Sequence, residues 1–270
     1  MTSGQVNTSR ALLATCVAAA ARASEIIREG AANRSAIVWE EKSAFDFVSD
    51  VDRRAEQALT RIIADRHPKA RVLGEEFSPA MTDVAGLVFV ADPLDGTTNF
   101  LHGFPCYAVS IAAMVDGTLE AGAVLNVANG ELFTATAGGG ARLNGQPIAV
   151  STIAEPARAI VGTGFPFKGD EHVDEYLQML ARVMRATSGI RRPGAAALDL
   201  ANVAAGRFDA FWEITLAPWD IAAGLLLIRE AGGVVTTLAG DPVPVSHTSL
   251  VAGNPSMHEW LLDAVGSRSS

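Results

Sequence analysis

The chain has 270 residues, 49% of them hydrophobic, with 21 basic and 30 acidic side chains and a formal charge of −9. That apolar content can build a sizeable core, and the acidic excess argues against general attraction to nucleic acid or to anionic lipid. Two cysteines, Cys16 and Cys106, are too few and too far apart for a disulfide framework or a zinc cluster, so a reducing, cytoplasmic setting is expected.

In chain order, Arg10 precedes an apolar run from Ala11 to Ala21. Ala21-Arg22-Ala23 mimics a signal-peptidase site, and Leu13-Ala14-Thr15-Cys16 hints at a lipoprotein box. The apolar residues continue to Ile26 and Ile27 with Arg22, Glu25 and Arg28 interspersed, and that spacing predicts an amphipathic helix instead. No other stretch reaches the roughly 20 charge-free apolar residues of a membrane span. A second helix is expected from about Asp52 to His67, with Ala55, Leu59, Ile62 and Ile63 on one face and Pro68 after its end. From Leu87 the pattern turns to β: Leu87 to Ala91, Tyr107 to Val115 and Leu119 to Leu125 read as strands. Asn129-Gly130 and Asn144-Gly145 mark tight hairpins, so a meandering antiparallel sheet is expected.

Beyond about residue 155 strands and helices alternate. Ala159 to Gly162 and Phe208 to Ile214 read as strands; Val173 to Ala186, Ala196 to Ala205 and Ile221 to Ala231 read as helices, the last closed by Gly232-Gly233. The expected organisation is an N-terminal α+β half, 1–150, and a C-terminal α/β half, 151–270. No linker separates them, so the halves should pack directly, with a cleft between them as the natural site.

The chemistry concentrates in Asp92-Pro93-Leu94-Asp95-Gly96-Thr97-Thr98-Asn99, two carboxylates and two hydroxyls at the end of a hydrophobic strand. Pro93 forces the chain to turn, and Gly96 leaves a backbone N–H open to a phosphate oxygen; a short helix starting near Thr97 would add further N–H groups. The motif holds no Lys or Arg. Two carboxylates ~5 Å apart repel by about 3 kcal/mol at an effective dielectric near 20, so a phosphate could join them only with cations present. The ligands on offer are hard oxygens without His or Cys, which favours Mg²⁺. Phosphate monoester hydrolysis needs such ions to activate water and neutralise charge, and no nucleophilic cysteine or serine motif is present. Taken singly, Asp-Pro-x-Asp-Gly also fits a turn, Gly74-Glu75-Glu76 a solvated loop, and Asp52 and Asp220 helix N-caps.

Taken together, Gly74-Glu75-Glu76, Asp92 through Pro105, and Pro218-Trp219-Asp220-Ile-Ala-Ala-Gly224 resemble the inositol monophosphatase family, as do Asp46 to Asp52 and Ala204 to Glu213. The resemblance spans nearly the whole chain. It implies an α+β fold, a layered αβαβα sandwich shared with fructose-1,6-bisphosphatases, and a Mg²⁺-dependent, lithium-sensitive phosphatase acting as a homodimer on a small phosphate monoester, most simply inositol 1-phosphate. It also implies two to three Mg²⁺ ions, one held by Glu75, Asp92 and the Leu94 carbonyl, a second by Asp92, Asp95 and Asp220, and a third more weakly by Glu75. Glu75 and Thr97 match the pair that activates the attacking water, Asp52 the acid supporting Thr97, and Gly96 and Thr97 the phosphate-binding backbone; Asp95 serves both metal and catalysis. Glu213 matches the acid that binds inositol hydroxyls, Leu94, Gly194, Ala195, Ala196 and Asp220 belong to the substrate wall, and Arg191, within the substrate-lining stretch Arg191 to Ala196, matches a position that touches substrate or a neighbouring subunit. Ala195 departs from the Ser or Thr of many relatives. Thr-Thr-Asn after Gly96 differs from the Thr-Lys of 3′-phosphoadenosine phosphatases, and the Trp-Gly-Asp of histidinol phosphatases is missing after Arg191-Arg192. A fructose-1,6-bisphosphatase or other sugar phosphatase is the alternative, and a non-catalytic binding module a third reading. No nucleic-acid or membrane partner is expected.

Overall fold

The computed structural model describes residues 3–43, 46–166 and 172–266. In chain order its first part runs α1 (Ser3–Ala32), β1 (Trp39–Ser43), β2 (Asp46–Ser49), α2 (Asp50–Arg66), β3 (Arg71–Gly74), β4 (Leu87–Asp95), α3 (Thr97–His102), β5 (Ala108–Val115), β6 (Thr118–Asn126), β7 (Leu132–Thr136), β8 (Gly140–Leu143) and β9 (Gln146–Pro147). There follow β10 (Ile160–Thr163), α4 (Val173–Ala186), β11 (Gly189–Arg191), α5 (Ala196–Ala204), β12 (Ala210–Leu216), α6 (Pro218–Glu230), β13 (Val234–Thr236), β14 (Thr248–Gly253) and α7 (Pro255–Val265).

Two sheets carry the molecule. The larger has seven strands ordered β3-β4-β5-β6-β7-β8-β9, with β3 parallel to β4 and the rest antiparallel. The smaller is ordered β11-β10-β12-β14-β13, mixing parallel and antiparallel neighbours. The period-2 alternation of each strand sends its side chains into two different cores. In β4, Phe89 and Ala91 face α1 and α2, while Val88 and Val90 face α5 and α6. In β12, Phe211 faces α5 and α6, while Trp212 and Ile214 face α4 and α7. The layers are therefore α1/α2, large sheet, α5/α6, small sheet, α4/α7, the expected αβαβα sandwich.

The helices form where apolar spacing matches their turn. In α1, Leu12, Cys16, Ala19, Ala20, Ala23, Ile26 and Ile27 make one buried stripe, so the helix runs unbroken through the segment that mimics a signal sequence. No helix among the described residues is long and apolar enough to cross a membrane. The central pair, α5 and α6, is apolar almost all round because each is covered on both sides. A Cβ on Gly224 would lie 2.6 Å from the Leu200 Cβ, so the glycine lets these two helices approach.

Candidate active site

The site forms where β4 ends. Strand β4 runs on past Ala91 to Asp95, with a bulge between Asp92, which pairs with Ser110, and Asp95, which pairs with Ala108. The cause is Pro93, which has no N–H to give to the ladder; the Leu94 N–H instead turns back to Asp92 Oδ1 at 2.9 Å. Gly96 then takes φ +88°, and a Cβ there would sit 2.8 Å from the Cys106 carbonyl oxygen, so both the conformation and the space require glycine. The chain enters the six-residue helix α3 directly after it.

Helix α2 supports this turn from below. Ser49 is its N-cap, and Asp52, at the third helical position, returns its carboxylate to the Ser49 N–H at 2.9 Å in a capping box. Asp52 is thus not the N-cap that the sequence alternative allowed. Its other oxygen, Oδ1, lies 2.9 Å from the Thr97 hydroxyl, which is also 3.0 Å from the Leu94 carbonyl. One turn further along α2, Glu56 accepts hydrogen bonds from the Glu76 N–H at 2.7 Å and the Phe77 N–H at 3.2 Å. Any side chain on Gly74 would overlap the Glu56 carboxylate, so Gly74-Glu75-Glu76 is a clamped loop and not a solvated one.

The other acids are held by helix starts. Asp95 Oδ2 accepts the Ala197 N–H at 2.9 Å, and the Ala196 and Leu198 N–H groups also face it, so an acid from the large sheet caps the otherwise uncapped N-terminus of α5. Asp220 is the third residue of α6 and accepts the Ala217 N–H at 2.7 Å. Again the residue is N3, not N-cap.

A cleft of about 780 Å³, within the size range of small-molecule sites, collects these groups. Glu75, Asp92, Leu94, Asp95, Gly96, Thr97, Gly194, Ala195, Ala196, Glu213 and Asp220 all line it. Asp52 lies behind the wall and reaches the cleft through Thr97. Arg191 differs from expectation: it is exposed on the edge strand β11, its Nη1 donating to its neighbour's Ile190 carbonyl, and Arg192 lines the cleft in its place, over the Phe165 ring. Arg192 follows the last residue of β11, where the chain leaves the strand, and is partly buried where Arg191 is exposed.

The acids press on one another. Burial raises the Asp92 carboxyl well above the ordinary range, and the charges of Glu75, Asp95 and Asp220 raise it further. Burial also lifts Asp95 to about 7, against the hydrogen bond from Ala197 and with help from Glu75. Asp52 is raised by burial despite its bonds to Ser49 and Thr97. The nearby Cys106 thiol is pushed up to about 12 by burial and by Asp199 and Asp95, which removes it as a nucleophile at neutral pH. Among the described residues, no three carboxylate, imidazole or thiol side chains converge tightly enough to cage an ion as they stand. The donor set nonetheless fits a hard divalent cation: four carboxylates share one wall, all offer oxygen, and the mutual field on Asp92 is one that a cation relieves.

Two cleft or support residues escape the sequence motifs, Glu56 and Asp199, whereas Arg192 belongs to the stretch from Arg191 to Ala196 that the family resemblance marks as substrate-lining. Glu56 was findable as a lone acid within the apolar face formed by Ala55, Leu59 and Ile63, and Asp199 as an acid inside the otherwise apolar run that becomes α5.

A sequence profile of the inositol monophosphatase family matches residues 9–270. A Nus factor SuhB of Pseudomonas aeruginosa is 43% identical over 258 residues, covering 94% of this chain and 95% of that protein. The crystal structure of extragenic suppressor protein suhB from Bartonella henselae has a TM-score of 0.89 at 39% identity, covering 95% of this chain and 99% of that one. SaIMPase-II, from Staphylococcus aureus, solved with inositol monophosphate bound, has a TM-score of 0.79 at 26% identity over 93% of each chain.

Two outcomes follow from the site's geometry and charge. The folded pKa of Asp95, about 7, exceeds the ~3.9 of an unfolded aspartate, so its contribution favours the folded state at low pH and is lost as pH rises through 7. In a chelator, melting temperature should fall between pH 5.5 and pH 8, and Asp95→Asn should flatten that slope. Glu56→Ala, by leaving two partly buried N–H groups without their acceptors, should cost about 1–3 kcal/mol in denaturant unfolding and raise the Mg²⁺ concentration for half-maximal turnover; Glu56→Gln, with one acceptor oxygen for two N–H donors, should recover only part of each loss.

Proposed function

Because this chain belongs to the inositol monophosphatase family, we propose that it is a phosphatase that hydrolyses a small phosphate monoester, with inositol 1-phosphate as the representative substrate. The observation that carries this reading is the shared cleft wall: Glu75, Asp92, Asp95 and Asp220, from separate stretches of the chain, beside the bare backbone at Gly96. Glu75, Asp92, the Leu94 carbonyl, Asp95 and Asp220 would hold Mg²⁺. When bound, the ions supply water activation and neutralisation of the phosphoryl oxygens.

The protein's own residues do the rest. The Gly96 and Thr97 N–H groups receive the phosphate. Thr97, with its hydroxyl fixed between Asp52 and the Leu94 carbonyl, orients the attacking water, and Glu75 on its clamped loop takes a proton from that water. Water attacks phosphorus, the ester P–O bond breaks, and the alcohol leaves carrying a proton. Glu213, across the cleft, is placed to accept hydrogen bonds from hydroxyls of that alcohol. The inositol monophosphate bound to SaIMPase-II supports an inositol phosphate substrate, and the 2′-AMP bound to the same protein supports small phosphate monoesters more broadly. Lithium inhibition, a homodimer and a cytoplasmic site of action complete the proposal.

The 43% identity to a protein named Nus factor SuhB favours a second reading, in which the fold acts through a macromolecular partner. With a charge of −9, the chain would be recognised by a protein surface and not by nucleic acid in general.

Phosphate release should be Mg²⁺-dependent and fastest, by specificity constant, for inositol 1-phosphate in a panel with fructose 1,6-bisphosphate, histidinol phosphate and 3′-phosphoadenosine 5′-phosphate. Asp95→Asn should lower turnover by more than ~100-fold without loss of fold. No turnover on any monoester would leave only the partner reading standing.

A further inference from the structure

The inner wall of the cleft holds an acid that the phosphate chemistry does not use. Asp199 lines the cleft yet is 1% exposed, and its Oδ1 is fully buried with no hydrogen-bond partner among the described residues. Buried carboxyl oxygens are normally satisfied, because leaving one unpaired costs the desolvation of that group. Among the described residues nothing satisfies this oxygen, which makes it a candidate to meet a group bound in the cleft.

The surroundings say what kind of partner. Asp199 sits two residues beyond Ala197, whose N–H binds Asp95 beside the phosphate position, and it feels the charges of Asp95, Glu213 and Arg192. It shares the cleft with both the phosphate end and Glu213, the space in which the alcohol portion of a monoester would sit. A hydroxyl both donates and accepts a hydrogen bond, so it suits a carboxyl in either protonation state.

We propose that Asp199 is a specificity-determining residue whose carboxyl hydrogen-bonds a ring hydroxyl of the substrate alcohol. This rests on the phosphatase reading given above. Burial, with the charges of Glu213 and Asp95, raises the Asp199 carboxyl well above the ordinary range, as expected for an acid kept in place against its own solvation.

The test uses the full chain with Mg²⁺ and compares kcat/KM for inositol 1-phosphate with that for p-nitrophenyl phosphate, whose leaving group has no ring hydroxyls. In Asp199→Leu the ratio of the two constants should fall by ~10-fold or more, and in the isosteric Asp199→Asn by ~3-fold or more, since a site built around a hydroxyl discriminates through that bond. Both variants should melt at or above the wild-type temperature, because each removes a buried unpaired carboxyl. A ratio within twofold of wild type in both variants overturns the inference, whether the activities hold or fall together; a common fall would mark a structural or water-binding role. Should the leucine variant fold poorly, the asparagine ratio decides alone. Wild-type protein that turns over neither ester sinks the phosphatase reading itself, whereas an unchanged ratio on an active enzyme sinks only Asp199.

Discussion

The constraint on which the structure turns is the crowding of negative charge around Asp92. Its carboxyl is buried at the end of a hydrophobic strand, and Glu75, Asp95 and Asp220 all raise its pKa from the same cleft wall. Like charges gathered away from water oppose folding. The sandwich holds them there by giving the acids backbone N–H partners from different elements: Leu94 for Asp92, the start of α5 for Asp95, and the residue before α6 for Asp220. Each of these bonds also completes a turn or a helix end, so the acids cannot turn away without undoing local structure. A divalent cation is the partner this arrangement lacks within the chain, and on the proposed reading it is what the arrangement is for.

The same economy governs the supporting residues. One helix, α2, carries Asp52 and Glu56 at i and i+4, both facing inward. The first fixes the Thr97 hydroxyl and the second clamps the loop of Glu75, so the two groups assigned to the attacking water are referenced to one rigid element. On the opposite wall α5 plays a matching part. Its N-terminus takes Asp95, and its fourth residue presents Asp199. The middle helical layer thereby joins the phosphate end of the cleft to the alcohol end.

Much of this was legible before any coordinates. The apolar stripes of α1 and α2, the Asn-Gly hairpins and the nearly continuous apolar runs of β5 and β6 are local signals that tertiary packing reinforces. The motif from Asp92 to Asn99 announced a turn with exposed backbone because Pro93 and Gly96 each permit few conformations. Strands β3, β13 and β14 carry no clear local signal, nor do β1, β2 and β11, and helix α7 shows one only at its start. The first two are short, three or four residues, and β14 shows a period only against neighbours distant in sequence. Helix α7 begins with Asn254 capping the Met257 N–H and Pro255 at its first turn, a start signal present in the sequence. Asp52 and Asp220 were placed one turn too early because an acid at N3 and one at N-cap look alike until the preceding residue is weighed. Arg192 lies just past the three-residue strand β11, so no strand period separates it from Arg191 in the sequence.

The most direct test of the central claim is calorimetric titration of the metal-free protein with Mg²⁺ at pH 7 in buffers of different ionisation enthalpy. If crowded, partly protonated carboxylates are the ligands, binding saturates and releases protons to the buffer, and Asp92→Asn loses both the tight phase and the proton release. Saturable binding without proton release, or binding untouched by Asp92→Asn, would contradict the account.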